Sequence, residues 1–434
     1  METKLARIAE IANERPKEVF TSLYHHLNME MFLECHKELS RNKASGIDGV
    51  TKLAYEENLE ENITRLVKDL KNHSYKPQAV KRAYIPKGDG MEMRPLGVPA
   101  YEDKIVQSGL NRILQAIYEA DFLDISYGFR PNRSCHDAIK HLNQVIEKGK
   151  ISYVVDADIK GFFNNVDHKW LMEFISLRIA DPNIKKLIVK YLKAGIMENE
   201  RWEPTELGTP QGSIMSPILS NIYLHYVLDL WFEKIVKKAC KGQAELVRYA
   251  DDFVCCFQYK EDAYKFYDAL IKRLAKFNLQ IAAEKTKIIM FGRFAEDNRK
   301  KMGLGKPETL DFLGFTHYCS KSKQGYFRVK RKTSHKKFKV KIKDFQHWIK
   351  LVRNLHTTKE IFDKVRVKLL GHYRYYGVTD NSKMLISFRH NILRILFKWL
   401  NRRSQRKSFG YDKFNLYLKL NPLPNPKIYV NIYD

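Results

Sequence analysis

The string RYADDF at residues 248–253 places two carboxylates, Asp251 and Asp252, side by side between two apolar segments. The pattern predicts a tight turn between two strands, which brings at least one carboxylate to the strand tips, where it can meet a cation. Hard ions such as Mg²⁺ take carboxylate oxygens as ligands. Asp is also common in hairpin turns because its side chain hydrogen-bonds to the local backbone. On its own, the string is therefore weak evidence for a metal site.

A second pair of carboxylates lies in YVVDADIKGFF at residues 153–163. Asp156 and Asp158 are two residues apart on a predicted strand, so their side chains project from the same face. Beside Asp251 and Asp252, a carboxylate from this strand would complete a cluster able to hold two divalent ions. Two such ions, ~3.5–4 Å apart, can activate an attacking hydroxyl and stabilise a leaving group. One strand aspartate can instead cap the following turn; we assign that role to Asp156 and the metal role to Asp158.

The elements that would position these carboxylates mix strands and helices irregularly. Apolar runs predict strands, and apolar residues three to four apart predict helices. Predicted strands cover 152–159, two segments within 245–257, pieces near 279–291 and 310–318, and a hairpin within 80–99 with its tip at residues 87–90. Predicted helices cover 101–120, 134–147, 171–194, 215–239 and 262–277. This mixture indicates an α+β domain with a mainly antiparallel sheet rather than a regular βα alternation.

Positive charge is concentrated in the last quarter of the chain. The 434 residues carry a formal net charge of +27, and residues 321–434 contain 29 Lys and Arg against 6 Asp and Glu. Strand signals fade beyond Tyr326. The apolar spacing of 335–354, 359–377 and 382–403 predicts three amphipathic helices, hence a small basic bundle. Such a concentration favours a polyanionic partner, nucleic acid ahead of an anionic membrane surface.

Composition excludes several classes of protein. Hydrophobic residues make up 44% and aromatic residues 12% of the chain, too many for global disorder. No apolar run approaches the ~18–20 residues of a membrane span, and the start of the chain lacks the apolar stretch of a signal peptide. We expect a soluble, cytoplasmic protein. The six cysteines include no C-x-x-C pair, so they are expected to be small buried hydrophobes rather than zinc ligands or a disulfide framework.

Several strings, taken in order, resemble the palm motifs of reverse transcriptases. They are DADIKGFF (156–163), TPQGSIMSPILSNIYL (209–224), RYADDF (248–253), EKTK (284–287) and FLGF (312–315). SYGFRPNRS (126–134) and IPKGDGMEMRPLGVP (85–99) are similar to flanking blocks of group II intron-encoded reverse transcriptases and maturases. The resemblance spans roughly residues 40–400. It implies a right-hand polymerase, with fingers, a palm containing an antiparallel sheet, and an α-helical thumb bundle.

The resemblance implies a catalytic set. Asp158, Asp251 and Asp252 match the catalytic aspartates of the family and would hold two Mg²⁺ ions, with Asp158 and Asp251 as the principal ligands. Lys285 matches the lysine proposed to protonate the departing pyrophosphate, and Lys287 competes for that role.

A nucleotide-binding set follows from the same resemblance. Lys87 and Arg94, on the two arms of the predicted hairpin, match fingers residues that clamp a triphosphate, which suits paired cations. Phe163 matches the aromatic residue under the incoming sugar, where a rigid ring would exclude a 2′-hydroxyl. Gln211 and Gly212 begin the loop that packs against the nascent base pair in relatives.

The two phenylalanines before Asn164 receive different roles. Core packing competes with function at each position, and we assign Phe162 to the core and Phe163 to the nucleotide. Asn164 departs from the family pattern, in which many relatives have Asp, but this leaves the catalytic set intact.

Template and primer contacts are implied at two further motifs. Arg130 and Arg133 match positions near the template backbone. Phe312, Leu313 and Gly314 match the grip under the primer terminus, with core packing as the rival interpretation.

The resemblance also divides the chain into domains. Residues 1–74 would be an N-terminal extension and the start of the fingers, 75–318 the fingers and palm, 319–405 the basic helical thumb, called domain X in maturases, and 406–434 a short tail. No endonuclease domain is expected, because paired cysteines are lacking.

We therefore expect an RNA-directed DNA polymerase of a group II intron that binds its intron RNA, assists splicing as a maturase and copies the RNA during retrohoming. Its partners would be intron RNA, an RNA template, a DNA primer, dNTPs and target DNA in the bacterial cytoplasm and nucleoid, with no membrane. A freestanding, host-adopted reverse transcriptase in repair or defence is one alternative. A non-catalytic RNA-binding splicing chaperone is another, although three clustered aspartates would repel the phosphate backbone that it needs to bind.

Overall fold

The computed structural model describes residues 2–87, 92–403 and 410–433. The α-helices of these residues are α1 (Glu2–Glu14), α2 (Met29–Glu38), α3 (Lys52–Glu56), α4 (Leu59–Lys71), α5 (Tyr101–Tyr118), α6 (Cys135–Lys148), α7 (Phe162–Asn165), α8 (His168–Ser176), α9 (Pro182–Leu192), α10 (Ser216–Leu224), α11 (Lys237–Ala239), α12 (Lys260–Lys276), α13 (Ala295–Lys301), α14 (His335–Val352), α15 (Thr358–Tyr376), α16 (Ser382–Leu400) and α17 (Tyr411–Leu420).

The strands share three sheets with the orders β2-β1-β4-β5, β6-β7-β3-β8 and β11-β10-β9. They are β1 (Val80–Lys87), β2 (Glu92–Val98), β3 (Tyr153–Ala157), β4 (Ile196–Glu198), β5 (Arg201–Glu203), β6 (Ala244–Tyr249), β7 (Asp252–Phe257), β8 (Lys287–Met290), β9 (Leu310–Phe312), β10 (Phe315–Lys321) and β11 (Phe327–Thr333). The β1–β2, β4–β5, β9–β10 and β10–β11 pairs are antiparallel, and β1 pairs with β4 in parallel. Helices mixed with mainly antiparallel pairs confirm the predicted α+β class.

The described residues fall into two compact units. Unit 1 contains the described residues within 1–134, 157–255 and 264–287, and unit 2 contains those within 135–156, 256–263 and 288–434.

The predicted hairpin is present as β1 and β2. Its register places Lys81 opposite Val98 and Ile85 opposite Arg94. Of the predicted tip, residues 88–90 lie outside the described residues. The hairpin therefore has the expected arms, with Arg94 on the second.

Strands β4 and β5 were not predicted from the sequence. Each has three residues, too few for a two-residue alternation to stand out. Asn199 and Glu200 connect them with positive φ angles of 48° and 64°. Glu is rare at such a position, where Asn-Gly is the usual hairpin signal. This turn was therefore not indicated by the sequence either.

The predicted fading of strands beyond Tyr326 is wrong. β11 pairs with β10 from Phe327 to Thr333. Its inward positions are Val329, Arg331 and Thr333, all nearly or fully buried. Because a charged residue occupies the middle of this buried face, the apolar alternation of a half-buried strand is broken in the sequence.

The helical bundle of unit 2 matches the three predicted amphipathic helices, which are α14, α15 and α16. Their apolar faces share one cluster that includes Phe345, Leu369 and Leu396. The chain beyond residue 405, predicted as a short tail, contains α17, and Phe414 from this helix is buried in the same cluster. The bundle thus has an apolar interior under a lysine-rich surface.

A continuous helical run extends from α10 to α11 and contains two π-helical turns. They cover His225–Asp229 and Phe232–Val236. Such turns widen a helix and often occur at functional sites.

Across the described ranges, none of the helices combines the length and apolar character that crossing a membrane requires. The six cysteines are free thiols; Cys35, Cys255 and Cys256 are buried, and the other three are half-buried.

Candidate active site

The β6–β7 hairpin carries the two aspartates at its turn, as predicted. β6 ends at Tyr249 and β7 begins at Asp252, so Ala250 and Asp251 connect the strands. Ala250 has φ +57°, in the left-handed region that costs alanine roughly 1–2 kcal/mol. Strand residues such as Phe253 are buried. The hairpin is therefore anchored in the interior, and its constrained turn presents Asp251.

Asp158 follows the last residue of β3 and is fixed through its backbone. The Ala282 N–H donates to the Asp158 carbonyl oxygen at 2.8 Å, and the Lys160 N–H donates to the Gln280 carbonyl oxygen at 2.8 Å. Both bonds tie the end of the strand to the segment that leads into EKTK. Lys285 is thereby brought to the same place as Asp158.

The Lys285 ammonium donates to the carboxylate of Asp158, with Nζ 2.9 Å from Oδ2. The Lys285 side chain is 58% exposed and that of Asp158 is 30% exposed. An ion pair this open contributes only about 0–1 kcal/mol to stability, so its main effect is to hold the Lys285 ammonium beside the carboxylate. Lys287 is the exposed first residue of β8. The contact therefore favours Lys285 over Lys287 as the functional lysine.

The carboxylates of Asp158 and Asp251 interact electrostatically. Burial raises the pKa of Asp251 above its ordinary value, and the charge of Asp158 acts in the same direction. A hydrogen bond from its own backbone N–H and the charges of Arg94 and Arg248 oppose this rise in the pKa. Two carboxylates that repel each other are stabilised by a shared cation.

The donor set fits a magnesium-type ion. Asp158 and Asp251 offer hard oxygen ligands, and Mg²⁺ is usually held by one or two carboxylates together with water and substrate phosphates. In the part of the chain that the structure describes, no group of three or more His, Cys, Asp or Glu side chains is arranged to hold a metal ion. Asp252 is exposed at the start of β7, and its role as a further ligand stays a prediction.

The loop with Gln211 and Gly212 packs against β2. The Gly97 N–H donates to the Gln211 carbonyl oxygen at 2.5 Å. Gly212 has φ +106°, and a β-carbon there would lie 2.8 Å from the Gly97 oxygen, so only glycine fits without moving backbone. Gln107 on α5 accepts from the Ser213 hydroxyl at 2.7 Å and from the next backbone N–H at 3.0 Å. The loop is thus fixed on two sides.

The two predicted phosphate-binding cations are placed differently. Arg94 lies on β2 and is exposed. Its charge lowers the pKa of Asp251, so the two side chains are within electrostatic reach. Lys87 ends the backbone of β1, but its side chain lies outside the described residues.

The two phenylalanines of α7 differ in burial, as predicted. Phe162 is 2% exposed and belongs to the core, whereas Phe163 is half-buried. The Thr209 N–H donates to the Phe163 carbonyl oxygen at 2.8 Å. Gly208, at φ +85°, passes so close that a β-carbon would lie 2.8 Å from the same oxygen. Phe163 is therefore held against the loop that leads to Gln211.

Comparison with known families decides the class of this site. The sequence model of the family described as reverse transcriptase (RNA-dependent DNA polymerase) matches residues 85–317, more than half of the chain. The chain belongs to this family. The match includes the aspartate hairpin, the Q-G loop and the lysine segment, so the resemblance to reverse transcriptases is confirmed.

Curated relatives include proteins of group II introns. The Group II intron-encoded protein LtrA of Lactococcus lactis subsp. cremoris is 42% identical over 231 residues, covering 52% of this chain and 38% of LtrA. Protein YkfC of Escherichia coli K12 is 38% identical over 42% of this chain and 48% of YkfC. A protein described as an uncharacterized 91 kDa protein in the cob intron of Schizosaccharomyces pombe is 36% identical over 48% of this chain and 25% of that protein. The chain matches less than half the length of each.

Within this reverse transcriptase fold, Arg130 is buried rather than open to a template. Its Nε and Nη2 donate to Glu119 at 2.9 and 2.6 Å, and its Nη1 donates to the carbonyl oxygens of Leu123 and Ser126 at 2.6 and 2.9 Å. The guanidinium is thus hydrogen-bonded to residues within 119–126, close to it in the chain. The proposed template contact therefore does not include Arg130.

Arg133 remains partly accessible. Its Nη2 donates to Asp124 at 2.5 Å, and its side chain is 24% exposed. The guanidinium also lies over the ring of Tyr127, 5.5 Å from the centroid. A partly open cation can still reach a phosphate, so Arg133 stays a predicted template residue.

The FLGF motif forms the turn between β9 and β10 in unit 2. Phe312 is buried at 4% exposure, which favours core packing for this residue. Leu313 and Gly314 have positive φ angles of 48° and 79°. The Tyr375 hydroxyl donates to the Leu313 carbonyl oxygen at 3.0 Å. The turn itself, rather than the Phe312 ring, is therefore the part able to meet a primer.

Several residues near the site had no role assigned from the sequence. Gln107 and Gly97 fix the Q-G loop, and Arg248 lies buried beside the aspartate turn. Gln107 gives no signal, because it occupies one of many polar positions on a helix. Arg248 gives one: an arginine within the apolar strand ELVRYA requires a buried partner.

Proposed function

We propose that this chain is an RNA-directed DNA polymerase encoded by a group II intron. The observation that carries the proposal is that the Asp158 and Asp251 carboxylates interact electrostatically, that the charge of Arg94 also acts on Asp251, and that Lys285 is bonded to Asp158. Carboxylates that hold divalent ions, next to cations that bind phosphate, suit nucleotidyl transfer. RNA template, DNA primer and dNTPs are the proposed substrates.

In this mechanism Asp158 and Asp251 would hold Mg²⁺, with Asp252 as a supporting carboxylate. Mg²⁺ supplies charge neutralisation and Lewis-acid activation to the attacking 3′-hydroxyl and the leaving pyrophosphate. Arg94 binds triphosphate oxygens, a task that its guanidinium performs with two donors at once, and Lys87 is proposed to assist from the opposite strand.

Lys285 would act on the leaving group. Its Nζ donates to Asp158 Oδ2 at 2.9 Å, and from this position it transfers a proton to a pyrophosphate oxygen. Because Lys285 is mostly exposed, exchanging its acceptor costs little.

Phe163 would select the sugar. The Thr209 N–H holds its backbone at the carbonyl oxygen, which fixes the position from which the ring would meet an incoming nucleotide. A 2′-hydroxyl would then collide with it. Gln211 and Gly212, on the same fixed loop, are proposed to support the new base pair.

The intron assignment rests on sequence relatives and charge. LtrA is by its name a group II intron-encoded protein, and the matched fission yeast protein lies in an intron. We propose that residues 1–74 contain an N-terminal extension and the start of the fingers. Residues 75–318 would form the fingers and palm, and residues 319–405 the thumb. The basic bundle α14–α16 would bind the intron RNA and assist its splicing, and retrohoming would follow at a target DNA. Arg133 and the Leu313–Gly314 turn would contact template and primer.

Primer extension on an RNA template tests the polymerase proposal. Asp251→Asn removes a charge from the carboxylate pair, and we expect extension with Mg²⁺ and dNTPs to fall below detection while RNA affinity stays within about twofold. Asp268→Asn, at an exposed position of α12, is the matched control and should extend at the parent rate. Full synthesis by Asp251→Asn would refute the metal assignment.

Sequencing the RNA that co-purifies from the native host tests the intron proposal. A single structured intron with its exon junctions supports it. A heterogeneous RNA population would contradict it and favour a freestanding reverse transcriptase.

A further inference from the structure

Arg248 forms a fully buried ion pair three residues before Asp251. Its side chain and that of Asp229 are both 0% exposed. The Arg248 Nε lies 2.7 Å from Asp229 Oδ1, and Nη2 lies 2.5 Å from Oδ2, so the contact is bidentate. This pair lies under the aspartate turn in unit 1.

Stability alone does not account for such a pair. Removing two charges from water costs several kcal/mol per ion, and apolar residues of similar volume are often as stable or more stable. A further property of the arrangement must therefore explain why an arginine occupies this position.

The third guanidinium nitrogen of Arg248 supplies that property. Its Nη1 donates to the Ala250 carbonyl oxygen at 2.9 Å and to Asn221 Oδ1 at 3.0 Å. The Ala250 carbonyl belongs to the peptide bond that leads into Asp251. Arg248 thus links the helix that carries Asp229 to the backbone immediately before the metal ligand.

Ala250 needs this support because its φ of +57° is unfavourable for alanine. Gly128 lies against the same residue, and a β-carbon there would collide with the Ala250 nitrogen. The Asn221 Nδ2 donates to the Gly128 carbonyl oxygen at 2.8 Å, and the Tyr127 N–H donates to the Arg248 carbonyl oxygen at 2.9 Å. The strained turn is therefore enclosed by one connected set of bonds.

The π-helical turn His225–Asp229 brings the two helix partners together. Eight residues of regular α-helix would leave Asp229 about 80° around the axis from Asn221. A π-helical turn rotates through a smaller angle about the helix axis per residue, which reduces this angular offset between Asn221 and Asp229. Both side chains can then bind the same guanidinium.

We propose that Arg248, held by Asp229 and Asn221, is a positioning residue that fixes the Ala250 peptide and thereby aims the Asp251 carboxylate at the metal. This inference rests on the proposed function, which gives Asp251 its role as a ligand. Arg248 itself touches neither substrate nor metal.

The test removes the buried pair without leaving a lone charge. Asp229→Leu combined with Arg248→Met keeps similar volumes, so the protein should remain folded. Asp121→Leu combined with Arg178→Met is the matched control. The Asp121–Arg178 pair is also largely buried in unit 1, with Nη1 2.5 Å from Oδ1, but it contacts segments other than the aspartate turn. Each full-length variant is assayed for thermal unfolding, binding to an RNA–DNA duplex, extension, and Mn²⁺ binding by electron paramagnetic resonance without substrate.

We expect the Asp229/Arg248 variant to extend primers ~10–100-fold more slowly and to bind Mn²⁺ about 10-fold more weakly, as for supporting residues of metal sites. Its duplex affinity should stay within about twofold. The Asp121/Arg178 variant should match the parent in extension and Mn²⁺ binding. A folded Asp229/Arg248 variant with unchanged Mn²⁺ binding and extension would overturn the inference.

Two further variants keep the outcomes separate. If the double variant does not fold, Arg248→Lys retains the charge but lacks the guanidinium fork; weaker Mn²⁺ binding supports the inference, and parental binding overturns it. Asp251→Asn in the same Mn²⁺ assay tests the proposed function itself. Loss of Mn²⁺ binding in Asp251→Asn with parental behaviour of the Arg248 variants would reject the positioning role alone, whereas parental binding by Asp251→Asn would reject the metal assignment.

Discussion

The aspartate site of unit 1 and the helical bundle of unit 2 place their polar residues in opposite ways. Around the site, charged and amide side chains such as Arg248 and Gln107 are buried and hold individual backbone atoms. In the bundle, the interior is mainly apolar, as at Phe345 and Leu369, with His372 as a buried polar side chain, and the lysines face solvent. A catalytic centre needs directional bonds because single atoms must be placed. The bundle surface, which we propose to follow an RNA phosphate backbone, would need charge on a stable support.

A pair of glycine substitutions should give the largest contrast between the two regions. Gly212→Ala meets the Gly97 oxygen and requires φ +106°, so we expect a loss of about 1–3 kcal/mol in stability and at least a ~10-fold loss of extension. Gly371→Ala on α15 has open space around it and should raise stability by about 0.5–1 kcal/mol, with unchanged extension. Denaturant unfolding and primer extension measure both. Parental extension by Gly212→Ala would show that the loop tolerates movement.

The neighbouring phenylalanines sharpen the comparison within the site itself. Phe162→Ala empties a buried position and should cost about 3–5 kcal/mol of stability. Phe163→Ala should cost less but raise the use of ribonucleotides relative to deoxynucleotides, about 10-fold in the ratio of kcat/KM. Steady-state incorporation of each nucleotide class measures this ratio. An unchanged ratio would return Phe163 to the core.

Neutralising lysines on the bundle surface should have a smaller effect than the glycine and phenylalanine substitutions, and it should act mainly on RNA binding. Lys337, Lys339 and Lys343 are exposed on α14. Changing all three to Gln should lower the salt dependence of RNA binding by up to about 2 in the log–log slope, while stability and extension of a pre-bound primer change little.

The control for this experiment carries the same change in unit 1. Lys265, Lys272 and Lys276 are exposed on α12, and their conversion to Gln should leave the slope as in the parent. A parent slope near zero would remove the bundle from the RNA-binding proposal.

Features that depend on local pattern were predictable from the sequence. The bundle helices α14–α16, the β1–β2 hairpin and the turn at Asp251 each follow from apolar periodicity or turn chemistry. The different burial of Phe162 and Phe163 was also predicted, on the strength of family resemblance.

Features that depend on distant partners were not predictable. In the sequence, Arg130 and Arg331 cannot be distinguished from exposed arginines. In the structure, the Arg130 guanidinium donates to Glu119, and the Arg331 guanidinium donates to Asn143, with Nη2 2.5 Å from Oδ1. A sequence does not reveal which acceptors a fold brings to a guanidinium. For the same reason, the partners of Arg248 became evident only from the structure.

The bond between Tyr127 and Arg248 joins residues about 120 positions apart in the chain. At ~5–20 residues per second, a ribosome needs about 6–24 s to add the intervening segment. During that interval the left-handed turn at Ala250 does not yet exist. The interval between the synthesis of Asp158 and that of its partner Lys285 is slightly longer. The proposed catalytic site therefore assembles only after residue 285 has been synthesised, as a property of nearly the whole of unit 1 rather than of any single motif.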